Sequence, residues 1–278
     1  MNVQEALDAV AADAARGDMV FPSNTEIALR VQRTLDDPDC STDQLSKMIS
    51  AEPVLSARVV SIANSVAYNP SGRAISDVRT AVPRLGFKTL RTLTTALVVR
   101  QMQGMAQSPE HRALAARLWE HTAHVAALAR VIAKRVTRLD PEAAFFAGIV
   151  HEVGGFYLIS RAGKFPGLFE SDLEPWYGDG EAQVGRAVLH ALDVPANILE
   201  ALETLWDGYL AMPPKSLGDT LLLADQLSPV ESPLTELAGM GRKGIAPDID
   251  LQIDDETLTG ILADAAEEVA SLTAALQT

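Results

Sequence analysis

The stretch AFFAGIVHEVGGFYL, residues 144–158, decides how the chain is read. An apolar run ends on a histidine beside a carboxylate, His151 and Glu152, and two glycines follow at once. Upstream, Asp140 and Pro141 make a helix N-cap followed by proline at the first helical position, so the run enters as a helix that ends at His151. Before that lies an alanine-rich helical pattern over about 109–136, with a turn near 138. His121 stands seventeen residues before the turn and His151 thirteen after it. At the helical rise these are roughly 25 Å and roughly 20 Å of helix, so the two histidines of an antiparallel hairpin can reach a similar height. On spacing alone an ordinary helix end is the better reading: Glu152 a terminal polar residue, the glycines a C-cap, His124 a plain neighbour of His121. HEVGG lacks the second histidine of H-E-x-x-H, which excludes that zinc-protease pattern. His111 and His190 have no metal-like context.

Outward from this hairpin the pattern is helical almost everywhere, and no period-2 alternation is sustained. Residues 3–16 place Val3, Ala6, Leu7 and Val10 on one face. Ile27, Val31, Thr34 and Leu35 mark a second helix, and Ser41 with Gln44 forms a capping-box pattern for a third. Pro53 opens a fourth, which ends in the turn-rich NSVAYNPSG. Helices follow near 76–85 and 87–104, and QGMAQSPE joins two halves. Beyond the hairpin, helices are expected near 153–162, 181–192, 195–206 and 216–227, then a Pro-, Gly- and Asp-rich loop over 228–254 and a last amphipathic helix over 255–275. The fold class is all-α, a multi-helix bundle. Trp119, Trp176 and Trp206 read as core or inter-helix fillers. EPWYGDG, 174–180, reads as a loop near the mouth of any pocket at His151, and as a candidate partner contact.

The chain has 278 residues, 47% of them hydrophobic, enough for a well-filled core. A formal net charge of −14 repels phosphate backbones and argues against nucleic acid as a partner. Arg84, Lys88 and Arg91 form a small basic cluster that reads as a solvated helix face. One cysteine, Cys40, excludes an internal disulfide and a Cys-based zinc cluster. The N-terminus lacks a basic-then-apolar signal pattern, and TLTTALVV is too short for a membrane span. A cytoplasmic protein with no membrane span is the expectation.

Several ordered segments together resemble the HDOD family, bacterial signalling relatives of the HD and HD-GYP phosphohydrolases. They are FPSNTEIALRVQRTLDDPDCSTDQLSKMISAEPVLSARVVSIANSVAY, AVPRLGFKTLRTL, LWEHTAHVAALARVIAKR, AFFAGIVHEVGGFYL and LLLADQLS. The resemblance covers roughly residues 18–228. It implies an HDOD/HD-like bundle: an N-terminal helix over 1–17, a helical half over 18–107, an HD-like half over 108–228, and a loop plus helix over 229–278 outside the match. Asn64, Ser65, Tyr68, Leu85 and Gly86 are then family signature residues. Their structural role is the stronger one, with Asn64 and Ser65 closing a helix end and Tyr68 packing over the joint.

The metal motif of HD enzymes carries over as His121, His151 and Asp225, with Glu152 where aspartate is expected. Glu181 stands where a histidine often occurs, LETLWDGY lacks a further histidine pair, and Gly155 replaces the lysine of the HD-GYP pattern. Glutamate is one methylene longer than aspartate, and ligand distances tolerate only about 0.2 Å. Two histidines and two carboxylates still suit one divalent metal, whereas a di-metal hydrolytic site lacks its ligands. The expectation is a non-catalytic signal-transduction module with a degenerate pocket and no cofactor, unless a single divalent metal. It would bind signalling proteins, or a small-molecule or nucleotide ligand. The competing reading is a metal-dependent phosphohydrolase or phosphodiesterase acting on a nucleotide or cyclic nucleotide.

Overall fold

A computed structural model describes residues 3–16, 18–21, 26–170, 173, 175–211, 213–237 and 255–277. Among these residues there is no β-strand. In order they form α1 (Val3–Ala15), α2 (Glu26–Leu35), α3 (Thr42–Ser50), α4 (Pro53–Asn64), α5 (Val78–Gln103), α6 (Pro109–Ile132), α7 (Pro141–Val150), α8 (Val153–Arg161), α9 (Glu181–Ala191), α10 (Ala196–Asp207), α11 (Leu217–Gln226), α12 (Pro233–Leu237) and α13 (Asp255–Gln277).

The local chemistry sets these boundaries. Ser108 and Asp140 accept backbone N–H groups in the first turns of α6 and α7, and proline follows each cap. Ser41 caps α3 by accepting the Gln44 N–H. The reciprocal capping box belongs to α11, between Ser216 and Asp219. The patterns at 76–85 and 87–104 are two helices that meet at a kink within the span Val78–Gln103. Gly86 holds φ 76°, ψ 170°, a conformation open essentially to glycine alone. α6 is shorter than the pattern over 109–136. It ends at Ile132 in a wider turn, Ala133–Thr137, closed by Arg138 at φ 58°.

α2, α3 and α4 pack around α5. α6 and α7 form the hairpin at the centre of the second half, α8, α10 and α11 pack on it, and α9 packs on α8 and α10. Small residues set the hairpin spacing: a Cβ on Gly148 would lie 2.4 Å from Ala126 Cα. The buried stripe of α1 (Val3, Ala6, Leu7, Val10) seats on α9 and the turn before it, and α13 lies along α6 and α4.

Two sequence expectations change here. The 228–254 stretch is not all loop, because its described part includes α12; residues 238–254 lie outside the described residues. Residues Pro141–Lys164 are apolar and long enough to cross a membrane by composition, a run the sequence reading passed over. Its apolar window is 94% buried, and a turn at His151–Glu152 breaks it into α7 and α8, which marks it as the core of the bundle. Trp119 and Trp176 are core residues as expected, while Trp206 is half-buried against Gly185.

Candidate metal centre and HDOD membership

His121 projects from the middle of α6, and His151 and Glu152 form the joint between α7 and α8. The hairpin does bring the two rings together, with their Nε2 atoms 3.1 Å apart. Each ring is oriented by its other nitrogen. His121 Nδ1 donates to the Val230 carbonyl at 2.7 Å, and His151 Nδ1 donates to the Gly148 carbonyl at 2.8 Å. A proton committed to each Nδ1 leaves two Nε2 lone pairs facing one another. Asp225 of α11 adds an oxygen 3.2 Å from His121 Nε2. One ligand atom from each of His121, His151 and Glu152 lies within 4.8 Å of the others. Three residues of the remnant motif therefore converge, and the fourth, Asp225, stands against His121.

Facing acceptors repel unless a cation stands among them. A proton is one such cation. Burial alone would lower the His121 pKa, but Asp225, Glu152 and the Val230 carbonyl outweigh it and hold this ring above its ordinary value. Burial and the charge on His121 push His151 down to about 4. A metal is the other. Ligands at about 2.0–2.1 Å around a tetrahedral ion sit about 3.3 Å apart. The observed 3.1 and 3.2 Å match that spacing. The Nδ1–carbonyl bonds are also the outer-shell contacts that fix metal-binding histidines. The donor set fits a single divalent ion.

The length of Glu152 is accommodated by the backbone and by Gly155. Glu152 sits at φ −101°, ψ 18°, outside either helix, so its carboxylate is re-aimed. A Cβ on Gly155 would lie 3.2 Å from Glu152 Oε2 and 2.6 Å from Leu234 Cδ1. The bare glycine leaves room for the longer carboxylate, and α12 fills the remaining space.

The environment is strongly acidic. Burial, countered by His121, raises the Glu152 pKa. Glu181, in the first turn of α9, is pushed well above its ordinary value by burial and by the charges of Glu152 and Asp225. Tyr177 is raised by burial and by the same carboxylates, and its hydroxyl donates to Thr235 Oγ1 at 3.4 Å. Of the 174–180 stretch, residue 174 lies outside the described residues and Trp176–Gly180 is a helical turn rather than a loop, which borders the pocket through Tyr177. Glu181, Tyr177 and the Val230 carbonyl were not named as pocket residues, although the unusual Glu at position 181 and the aromatic EPWYGDG stretch gave a signal for the first two. Among the other histidines, His111 packs edge-on to Phe169, and His124 Nδ1 is buried without a partner.

The signature residues lie elsewhere. Asn64 closes α4, donating to the Val60 and Ile75 carbonyls and accepting the Ile75 N–H. Ser65 donates to the Ile62 carbonyl. Leu85 is buried just before the Gly86 break. Tyr68 does more than pack, donating to Glu142 Oε2 at 2.6 Å under the Arg130 guanidinium.

An HDOD domain model matches residues 21–206, most of the chain. The chain belongs to the HDOD family. Three solved structures share the fold. A Shewanella amazonensis SB2B protein named as a metal-dependent phosphohydrolase aligns over 99% of both chains at 22% identity, TM-score 0.70. An HDOD domain protein with unknown function from Geobacter sulfurreducens aligns over 99% of this chain and 98% of its own at 24% identity, TM-score 0.61. A protein named for signal transduction, from Marinobacter aquaeolei VT8, aligns over 99% of this chain and 66% of its own at 20% identity, TM-score 0.63. No curated protein matches the chain. The family match stops at 206, so Asp225 joins the pocket by geometry rather than by membership.

Proposed function

We propose that this HDOD protein is a non-catalytic signalling module whose HD-like pocket holds at most one divalent cation as a structural tie. The observation that carries this is enclosure. His121, His151 and Glu152 are 2%, 3% and 7% exposed, with the Val230 carbonyl on His121 and Leu234 against Gly155, and only Asp225, at 28%, reaches toward solvent. A phosphoester needs an open coordination position and cationic groups on its non-bridging oxygens. Around this pocket stand Glu152, Glu181 and Asp225 instead, and the place of a lysine is a glycine covered by Leu234. His121, His151, Glu152 and Asp225 would hold the ion, whose chemistry there would be charge neutralisation. Signalling would then run through protein contacts of the helical surface or through a small ligand.

The phosphohydrolase reading keeps one observation in its favour, the convergence of His121, His151 and Glu152 with Asp225 beside His121. Elemental analysis of chelator-free protein, beside His151→Ala, followed by a phosphodiester screen with a nucleotide and a cyclic dinucleotide, separates the two. The proposal expects up to one metal per chain, lost in the variant, and no turnover with manganese, iron or zinc. Metal-dependent turnover abolished by His151→Ala would establish the hydrolase instead.

A further inference from the structure

Arg58 is the most anomalous buried charge outside the pocket. It projects from α4, is 3% exposed, and its Nε and Nη1 meet no acceptor. Its guanidinium lies 5.9 Å from the centre of the Trp119 ring on α6. Arg100 of α5 lies 5.6 Å from the same ring. Arg100 donates to the Leu276 carbonyl in the last turn of α13, and the Trp119 indole N–H takes the same oxygen. Neither arginine has a carboxylate partner among the described residues, in a chain of net charge −14. Burial, then the charge of Arg100, lowers the Arg58 pKa to about 10.

Buried guanidinium nitrogens without acceptors are costly, and a second cation beside them adds to the cost. Cation–π attraction to Trp119 and the negative end of α13 offset part of this. The Nε and Nη1 N–H groups remain unanswered, and the natural complement of such donors is a carboxylate or phosphate oxyanion. Arg100 is only half-buried, which gives such an anion a way in.

We propose that Arg58 and Arg100, beside Trp119 and under the last turn of α13, form a binding site for a small oxyanion of the carboxylate or phosphate class. It is separate from the His121–His151 pocket and is independent of the function assigned there. Occupancy would pin the end of α13 to α4, α5 and α6.

The test is thermal unfolding of the full chain in low-salt buffer, titrated with inorganic phosphate or with acetate at constant ionic strength set by sodium chloride. The wild type is expected to gain Tm saturably with at least one of the two, and which one responds tells phosphate from carboxylate. Arg58→Met should lose that response while unfolding at the same or a higher Tm without anion, since it replaces an unanswered buried charge with an apolar side chain. Should Arg58→Met fail to fold, Arg58→Lys keeps the charge and loses the fork, and its apparent affinity should drop at least tenfold. The proposal is overturned by no saturable response in the wild type, by an equal response in Arg58→Met or Arg58→Lys, or by a lower anion-free Tm in a folded Arg58→Met.

Discussion

The same helix hairpin carries two buried polar clusters, one toward each end, and they are built on opposite principles. Toward the turn, Arg130 of α6 meets Glu142 of α7 at 3.1 Å and Glu268 of α13 at 2.5 Å. Tyr68 and Thr89 donate to the remaining Glu142 oxygen, and Lys134 and Arg135 flank Glu268. Every charge there is answered, and the cluster ties the turn after α4 to α5, α6, α7 and α13. At the other end, His121 and His151 turn lone pairs toward each other among Glu152, Glu181 and Asp225. That cluster has a surplus of acceptors and a shortage of positive charge. A balanced network stabilises a fold by itself; an unbalanced one points to something added from outside.

Breaking the balanced end should have the largest effect. Arg130→Met leaves Glu142 and Glu268 buried with their principal cation gone. A loss of about 3–5 kcal/mol is expected in denaturant unfolding, typical of removing one partner from a buried ion pair. A loss under about 1 kcal/mol would mean that Lys134 and Arg135 suffice, and that the two ends differ less than their geometry says. The unbalanced end should behave in the reverse way. His151→Ala removes one of two opposed lone pairs, so metal-free protein should change little. Divalent metal should stabilise the wild type by about 2.7 kcal/mol at a hundredfold excess over Kd and leave His151→Ala unmoved. Equal stabilisation of both proteins would place the metal elsewhere and remove the contrast.

The helical architecture was legible because proline, serine and aspartate punctuate it: Pro53 and Asp140-Pro141 mark helix starts that the structure keeps. The break at Gly86 was legible as the boundary between two helices. The meeting of His121 and His151 could be counted from helical rise, but only as possible, since rise gives height and not rotation. Asp225 came from the motif alone. The rest depended on contacts remote in sequence. Nothing local tells that Val230 turns back to orient His121, that Leu234 covers Gly155, or that Tyr68 binds a carboxylate 74 residues on. Short α12 gave no periodic signal over its five residues, and its proline read as loop.

Gly86 and Ser216 test whether the site end depends on remote scaffolding. Gly86→Ala meets no neighbour within 4 Å, so its cost is backbone strain alone, about 1–3 kcal/mol in unfolding free energy. It sits in the half that carries none of the four motif residues, and metal binding should not change. Ser216→Ala is the finer probe. Ser216 Oγ accepts the Asp219 N–H at 3.0 Å and donates to Asp219 Oδ2 at 2.7 Å, and this box starts the helix that bears Asp225. Losing the cap should cost about 1 kcal/mol. Asp225 lies near the other end of α11, whose Leu221, Leu222, Leu223 and Ala224 are buried, so packing rather than the cap should hold its position. Metal affinity by calorimetry should therefore stay within about threefold of wild type. A drop of tenfold or more, with unfolding still down by only about 1 kcal/mol, would show that the cap sets the height of Asp225 and that the acidic pocket depends on the start of the helix as much as on its core.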